Sequence, residues 1–274
     1  MKRVVLLLVT LITALAWLGC AASSTAVPTP TVEEAITLSP QAAEETTSVS
    51  PPTAPEATTT SPSIAEGAIT LLPPPSLDGE TSLEESLARR RSVRDFDDTP
   101  LTAAELGQLL WAAQGLTNER GLRTAPSAGA LYPLELYLVT AEGVFHYEPH
   151  GHQLSAVRSD DRRAALYEAA LSQEAVLRAP AVFVVTAVYA RTEQKYGAER
   201  SPRYVHLEAG HAAQNLLLEA VALGLGAVPI GAFHDEQVQE ALGLPPDHEP
   251  LYLIPAGHPR GEGRWRRPTL SAEV

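Results

Sequence analysis

Apolar and polar positions beyond residue 80 follow two periods, one typical of helices and one typical of strands. Capping boxes at Ser82–Glu85 and Thr102–Glu105 precede apolar residues at helical spacing, and Gly115 is the expected end of the second helix. Further helices are predicted at 160–177, 204–224 and 235–242. Strands are predicted at 134–140, 181–189, 227–230 and 251–256, with a hairpin of 144–149 and 152–157 that turns at His150-Gly151.

Two of these segments predict deep burial. Residues 181–189 (AVFVVTAVY) are apolar on both faces, as expected of a central strand that is covered on both sides. The apolar residues of 204–224 cover most of the helix circumference, which predicts burial all round. Because helices and strands do not alternate regularly, the order favours an α+β domain over a Rossmann fold.

The first twenty residues have the pattern of an export signal. Lys2 and Arg3 precede an uncharged run of 15 residues, Val4–Leu18, which is short for a membrane-spanning helix of about 20 residues. The ending Leu18-Gly19-Cys20 resembles a bacterial lipobox, in which Cys20 would carry a lipid, although Trp17 departs from the usual small aliphatic residue. An uncleaved anchor and an ordinary secretory signal are the alternatives. All three predict a domain outside the cytoplasm, and the lipobox makes it a membrane-anchored lipoprotein of the cell envelope.

Residues 21–80 have the composition of a linker. They contain ten Pro, eleven Thr and eight Ser, with seven Glu but no aromatic or basic residue. Such a segment cannot bury enough apolar surface to offset the entropy of ordering, which predicts a disordered tether. The division expected is a signal peptide at 1–20, a linker at 21–80 and one folded domain at 81–274.

Charge and cysteine content exclude several kinds of function. The region 81–274 carries 18 basic and 25 acidic side chains, so nucleic acid is not expected as a partner. Cys20 is the one cysteine, which excludes disulfides, cysteine zinc sites and a thiol nucleophile from the domain. His146, His150 and His152 flank the predicted hairpin turn and are interpreted as exposed turn residues, so no metal site is assigned.

Three segments carry residues suited to ligand chemistry. The basic run Arg89–Arg94 would suit a phosphate, and its alternative is a solvated arginine face. The small-residue loops 126–133 and 226–231 allow main chain to approach a flat ligand closely, and their alternative is ordinary turns. The glycine motifs of dinucleotide-binding folds, the P-loop and the G-x-S-x-G elbow are all absent from the sequence.

Lys195 is a separate candidate because it is the one lysine of a domain with 17 arginines. A desolvated lysine can act as a base, whereas arginine keeps its charge. The alternative is an ordinary loop lysine in a sequence that is rich in arginine.

Five motifs in order identify a family resemblance. They are RRSVRDF at 90–96, PSAGALYPLELY at 126–137, KYG at 195–197, EAGHAAQNLLLEAVALGLGAVPIGAF at 208–233 and IPAGHPR at 254–260. Together they resemble the nitroreductase superfamily, and more narrowly its SagB/ThcOx-type branch, the azoline dehydrogenases of ribosomal-peptide maturation. The similarity spans about residues 83–260. It implies a nitroreductase-like mixed sheet flanked by helices, and FMN bound between the two subunits of a homodimer.

The resemblance also assigns roles to individual residues. The residues expected at the ribityl phosphate are Arg90, Arg91, Ser92 and Arg94. A further contact to the phosphate is expected from the C-terminal part of the domain, from Gly257, His258 and Arg260. The residues expected beside the flavin ring are Ser127, Ala128, Gly129 and Leu131, with Pro229, Ile230 and Gly231 at its other edge.

Lys195 and Tyr196 match the pair proposed as catalytic in the dehydrogenase branch. The implied function is an FMN-dependent oxidoreductase that transfers hydride between flavin N5 and a small or peptide-borne substrate, with Lys195 moving the proton. The competing hypothesis is a surface-anchored flavin- or ligand-binding module without turnover.

Overall fold

The computed structural model describes residues 65–261. The lipobox-like motif with Cys20 therefore lies outside the described residues. The helices are α1 Leu83–Arg89, α2 Ala103–Gln114, α3 Arg163–Ala169, α4 Glu174–Arg178, α5 Tyr189–Tyr196, α6 Ser201–Ala222 and α7 Asp235–Leu242. The strands are β1 Ile69–Leu71, β2 Leu134–Thr140, β3 Gly143–Glu148, β4 Gln153–Arg158, β5 Ala181–Ala187, β6 Gly226–Ala227 and β7 Glu249–Gly257.

The strands form one seven-stranded sheet in the order β1-β4-β3-β2-β5-β7-β6. The expected α+β fold with a sheet flanked by helices is confirmed, but the named strands pair antiparallel throughout instead of forming a mixed sheet. Within residues 65–261, the parallel pairing is a single bridge between Ser92 and Ala227. The β3–β4 hairpin forms where the sequence predicts it, with Tyr147 opposite Leu154.

Both faces of the sheet are buried, as the apolar run of β5 predicts. Phe183 and Val185 of β5 pack into the core that contains α2 and α6. Val182 and Val184 point to the opposite face and pack with residues of α3, α4 and α7. Alternate side chains of an extended strand point to opposite faces, so one apolar strand supplies both cores.

Helix α2 begins and ends where its capping signals predict. The Thr102 hydroxyl accepts a hydrogen bond from the Glu105 backbone N–H, and the Glu105 carboxylate accepts one from the Thr102 backbone N–H. Gly115 follows as the C-cap residue. Ser82 caps α1 in a similar way through the backbone N–H of Glu85.

The folded region begins earlier than the sequence predicts. Residues 65–80, assigned to the linker, contain β1, which pairs with β4 from Ile69 to Leu71. Leu72 is only 8% exposed and enters the core, while Gln108 of α2 exchanges two hydrogen bonds with the backbone of Ser76. Residues 65–80 therefore have the composition of a linker but contain strand β1. This strand is stabilised by pairing with β4, which is distant in sequence.

Replacing Leu72 with alanine should lower the free energy of unfolding by about 2–4 kcal/mol, because it removes buried methyl groups and leaves a cavity. Leu77 lies in the same segment and is 79% exposed, so Leu77→Ala is the matched control and should change stability by less than about 0.5 kcal/mol. Urea unfolding of the full chain measures both. Equal effects of the two substitutions would show that the segment does not contribute to the core.

Two helix predictions need correction. The helix expected at 160–177 is broken into α3 and α4, because Leu171 and Ser172 adopt positive φ angles of 56° and 55°. The long helix α6 is not buried all round. Four of its residues at helical spacing, Arg203, Leu207, His211 and Gln214, are exposed and form a continuous strip, called here the α6 stripe. Within residues 65–261, no helix combines the length and hydrophobicity that a membrane crossing requires.

Candidate active site

The arginine corner consists of Arg90, Arg91, Ser92 and Arg94. Backbone hydrogen bonds join its segment to the loop 226–231 and to residues 257–260. The backbone N–H of Val93 donates to the carbonyl of Ala227 at 3.1 Å. Further along, Asp97 N–H donates to the carbonyl of His258 at 2.9 Å, and Arg260 N–H donates to the carbonyl of Asp95 at 3.0 Å. Segments 90–97, 226–231 and 257–260 therefore meet at one place.

The side chains of the arginine corner face outward because their neighbours are anchored in the core. Val93 and Phe96 are buried, whereas Arg91, Ser92 and Arg94 are exposed and Arg90 is half-buried. Glycine is required for this packing at position 226, where a Cβ atom would lie 2.7 Å from the Val93 side chain. Close backbone approach thus presents the cationic side chains on one surface.

The other residues predicted on this side differ in what they can contact. Ile230 is buried, and its backbone N–H and C=O both bond to Leu253, so its main chain is already used. Gly231 faces open space and can accommodate a close ligand. Gly257 is buried against Pro180. Of the residues expected near the phosphate from the segment 257–260, His258 and Arg260 are therefore the ones that a ligand can reach.

Carboxylates lie near His258 and Arg260 and can offset their positive charge. The His258 Nε2 atom lies 3.7 Å from a Glu105 oxygen. The Arg260 guanidinium lies 3.8 Å from Asp95 and 3.7 Å from Asp98. These pairs are long and partly exposed, so each is worth little and can be replaced by a stronger anionic partner.

The loop 127–132 is held in an unusual backbone conformation. Gly129, Ala130 and Tyr132 all have positive φ angles, of 66°, 54° and 47°. The Tyr132 N–H donates to the Ser127 hydroxyl at 2.9 Å, and Arg191 donates to the Tyr132 carbonyl at 3.0 Å. Strained backbone of this kind persists only where surrounding contacts determine it, and it is concentrated at functional sites.

Helix α5 places the predicted catalytic pair directly against this loop. A Cβ atom on Gly129 would lie 2.8 Å from Lys195 Nζ and 3.1 Å from the Tyr196 hydroxyl. The Lys195 ammonium is 5.6 Å from the centre of the Tyr196 ring, and that ring lies 4.5 Å from the ring of Tyr204. Lys195 is exposed in the single chain, so residues 65–261 of one chain do not desolvate it.

Glu208 is a site residue that the sequence interpretation does not select. It lies on the buried side of α6 and is 2% exposed, between the side chains of Ser127 and Gln114. Burial raises the pKa of Glu208 to about 7, against the opposing effects of the Ser127 hydrogen bond and the Arg123 charge. Its position between Val205 and Ala212 on the apolar side of the helix is the signal that could have identified it.

The same loop is supported from the sheet by a second polar group. Arg191 forms an ion pair with Glu135, whose other oxygen is 2.7 Å from His146 Nε2. Burial alone would raise the pKa of Glu135, but the hydrogen bonds from His146 and Arg191 lower it to about 2. His146 is therefore a structural partner of a carboxylate and not a turn residue.

His152 also has a structural role, bonding Tyr147 and the Pro73 carbonyl at 2.9 Å each. Between residues 65 and 261, no group of three metal-ligating side chains is present.

Replacing Glu208 with glutamine should change the pH dependence of stability. A carboxyl whose pKa is raised from 4.5 to about 7 on folding stabilises the protein fully below pH 4.5 and loses that contribution as the pH rises to 7. Glu208→Gln should therefore be more stable than the unsubstituted chain at pH 8, by roughly 3 kcal/mol, and similar to it at pH 4.5. Urea unfolding at the two pH values measures the difference. An identical pH profile for both proteins would contradict the raised pKa.

The two clusters lie at different ends of helix α6. Glu208 and the loop 127–132 are near the beginning of α6, whereas the arginine corner packs against β6, which follows the end of α6 at Ala222. The helical rise from Glu208 to Ala222 corresponds to roughly 20 Å. One chain therefore presents two separate candidate regions, called here the arginine half-site (90–94, 226–231, 257–260) and the loop half-site (127–132, 195–196, Glu208).

The comparison with protein families matches this arrangement of motifs. The model of the family described as "Nitroreductase family" matches residues 87–258, which includes the loop half-site and all of the arginine half-site except residues 259 and 260. The chain belongs to the nitroreductase family. It is accordingly an oxidoreductase, as the five motifs imply.

Two nitroreductase relatives match most of their own length. MJ1384 from Methanocaldococcus jannaschii, which carries the nitroreductase name, is 45% identical over 184 residues, covering 65% of this chain and 91% of that protein. A crystal structure from Ralstonia eutropha JMP134 that carries the same name has a TM-score of 0.66 and 30% identity, and it covers 73% of this chain and 94% of its own.

Two Rhizobium leguminosarum proteins match more weakly. The trifolitoxin operon protein TfxC is 25% identical over 63% of this nitroreductase chain, which spans 54% of TfxC. The trifolitoxin-processing protein TfxB is 29% identical over 47% of this chain, which spans 38% of TfxB.

Proposed function

We propose that this nitroreductase is an FMN-dependent oxidoreductase that transfers hydride between flavin N5 and a small or peptide-borne substrate. The proposal depends mainly on one observation, that three segments distant in sequence meet at the arginine corner. Gly231, which belongs to one of these segments, faces open space. An exposed cationic cluster in an acidic chain is suited to a phosphate, because guanidinium groups form charge-assisted hydrogen bonds with its oxygens.

The residues present fit the two ends of FMN. Arg90, Ser92 and Arg94 would hold the phosphate, with Arg260 as a further donor once it exchanges its carboxylate partners for the ligand. Gly231 would lie at one edge of the ring, where a side chain is missing and space is open. The bound flavin would supply the redox chemistry, while the protein supplies placement and electrostatics.

We further propose that each flavin site is shared between two copies of the chain. Because the half-sites of one chain are roughly 20 Å apart along α6, the loop half-site of a partner is needed to complete the arginine half-site. The α6 stripe supports this arrangement, since the single chain leaves this face uncovered and Leu207 within it is 53% exposed. Two antiparallel α6 helices would cover both stripes and place each loop against the partner's arginine corner.

Lys195 and Tyr196 would act from the loop half-site as the proton-handling pair. Their contact with Gly129 puts them beside the loop that is expected to face the flavin ring. A partner chain would cover Lys195, which is exposed in the single chain, and a desolvated lysine can hold or release a proton. The similarity to TfxB, a trifolitoxin-processing protein, supports the peptide-modifying branch of the family.

The place of action proposed is the cell envelope. Cys20 would carry the lipid that anchors the chain to the membrane, and the segment after it would tether the domain. Membrane contact through that anchor alone agrees with the net charge of −13, which does not favour anionic lipid surfaces.

The visible spectrum of the full chain after reconstitution with FMN tests the main proposal. A yellow protein that is reduced and reoxidised reversibly is the expected result. A colourless protein would contradict the flavin assignment, and a yellow protein without redox turnover would instead favour a binding module.

The lysine assignment has its own test. Lys195→Ala should retain FMN and lose at least about tenfold in turnover of a nitroaromatic or azoline probe, since general acid–base groups contribute about 10²–10⁴-fold. Gln194→Ala, at the exposed neighbouring position, is the control and should keep turnover. Full activity of Lys195→Ala with flavin bound would remove the role of Lys195.

A further inference from the structure

Helix α5 contacts the loop 127–132 and the residue after it at both ends of the helix. Its N-cap residue, Val188, donates its backbone N–H to the Pro133 carbonyl at 2.8 Å. One turn later, the Arg191 guanidinium donates to the Tyr132 carbonyl at 3.0 Å. The first turn of α5 is therefore fastened to the C-terminal end of the loop by two hydrogen bonds.

The last turn of α5 carries the proposed proton-handling pair. Lys195 and Tyr196 lie against Gly129, in the first half of the loop. Lys195 comes four residues after Arg191, a spacing that places two side chains on the same side of a helix. Because both residues belong to one short helix, the attachment at Arg191 determines where Lys195 lies relative to the loop.

Glu135 holds the Arg191 guanidinium in place. One nitrogen of the guanidinium donates to the Tyr132 carbonyl, and another donates to a Glu135 carboxylate oxygen. The second Glu135 oxygen is 2.7 Å from His146 Nε2, and Glu135 belongs to β2, the middle strand of the sheet. The planar fork of an arginine serves two acceptors in fixed directions, whereas a lysine offers a single point charge. Arg191 therefore joins α5, the loop and the sheet.

Tyr132 also has contacts that do not involve Arg191. The Arg123 guanidinium lies 4.7 Å from the centre of the Tyr132 ring, and the Arg123 backbone N–H donates to the Tyr132 hydroxyl at 3.2 Å. The Tyr132 backbone N–H donates to the Ser127 hydroxyl. These contacts remain when Arg191 is replaced, so α5 is the element that should shift while the loop keeps its conformation.

We propose that Arg191 is a positioning residue that fastens α5 to Tyr132 and Glu135 and thereby sets where Lys195 lies relative to the substrate. This inference rests on the proposed function, in which Lys195 moves the proton of the reaction. A misplacement of about 1 Å can cost roughly 100-fold in rate, so a residue that only places Lys195 can affect turnover strongly without touching the substrate.

The first test needs no flavin. In the full chain without FMN, Arg191→Lys should raise the rate of hydrogen exchange at the Val188 amide at least about tenfold, because the loss of a charge-assisted hydrogen bond loosens the first turn of α5. Glu135→Gln, which keeps the shape of the side chain but removes its charge, should raise the same rate by a smaller factor.

The matched control for the exchange measurement is Arg178→Lys, the same substitution at an arginine that is paired with Glu174 on α4. It should leave the exchange rate of the Val188 amide unchanged. An unchanged rate in Arg191→Lys, or an equal rise in Arg178→Lys, would overturn the proposal.

The second test measures turnover of a nitroaromatic or azoline probe by the full chain reconstituted with FMN. Arg191→Lys should keep its FMN affinity within about twofold and its KM nearly unchanged, but lose about 10–100-fold in kcat. The double variant Arg191→Lys/Lys195→Ala should be no slower than Lys195→Ala alone, because nothing is left for Arg191 to position.

Multiplied losses in the double variant would show that Arg191 acts independently of Lys195, and a parallel loss of FMN affinity would show a general disturbance of the site. Either result contradicts the positioning role. If no variant binds FMN, the proposed function fails, and the Val188 exchange rate alone decides whether Arg191 fastens α5 to the loop.

Discussion

Replacing Arg90 and Arg94 together with alanine is expected to lower the affinity for FMN at least about 100-fold without unfolding the chain. Each arginine would lose a charge-assisted hydrogen bond to the phosphate, worth about 1.5–3 kcal/mol, and 1.4 kcal/mol corresponds to a tenfold change in affinity. Folding should be unaffected, because the core contacts of this segment are made by Val93 and Phe96. Fluorescence titration of FMN with the refolded or reconstituted chain measures the change.

The control for this variant is Arg178→Ala. Arg178 is more than half exposed, forms an ion pair with Glu174 and is not part of either half-site. Its loss should change FMN affinity less than twofold, because an exposed pair contributes little and no phosphate contact is removed. Comparable losses in Arg178→Ala and in the double variant would show a general effect of net charge, and the arginine corner would no longer be the phosphate site.

Mixing two non-binding variants is expected to restore FMN binding. Arg90→Ala/Arg94→Ala disables the arginine half-site, and Gly129→Val disables the loop half-site, because a side chain there would collide with Lys195 and Tyr196. If each flavin lies between two chains, a mixed dimer has one site with both halves intact and one with neither. Random pairing makes half of the dimers mixed, so about a quarter of all sites should bind FMN.

Flavin absorbance of the co-refolded chains measures the restored sites, and native mass spectrometry counts one FMN per mixed dimer. Each variant refolded alone is the control and should remain colourless. If the mixture also stays colourless while mixed dimers form, the two half-sites do not complement each other across chains, and the shared-site proposal is wrong.

Elements with a short-range signal were predictable from the sequence. The caps of α2 and the apolar run of β5 both depend on residues within a few positions of one another. The break at Leu171 and Ser172 has no such signal, since neither residue favours a positive φ. Strand β1 was missed because its pairing partner, β4, lies more than 80 residues away and its own composition is that of a linker.

The residues of the candidate site also fall into two groups, those that the sequence identifies and those that it does not. The arginine corner, the loop 126–133 and Lys195-Tyr196 are recognisable as motifs, because each is a contiguous run of unusual residues. Arg123, which bonds the Tyr132 hydroxyl through its backbone N–H, Arg191 and Glu208 lie against the loop from three separate parts of the chain, and nothing contiguous distinguishes them. Their role becomes visible only when burial removes them from water, because a charge or a polar group then requires a partner.

The amino-acid sequence by itself determined the α+β class, the boundaries of α2 and the β3–β4 hairpin. These follow from side-chain periodicity and from hydrogen bonds between near neighbours. The family of this oxidoreductase was recognised from the resemblance carried by the five motifs. Only the tertiary structure decided that the motifs separate into two half-sites, that α6 keeps an exposed stripe, and that Glu208 is buried behind Ser127. Distances across the fold depend on how whole helices and strands pack, which the periodicity of a single segment does not specify.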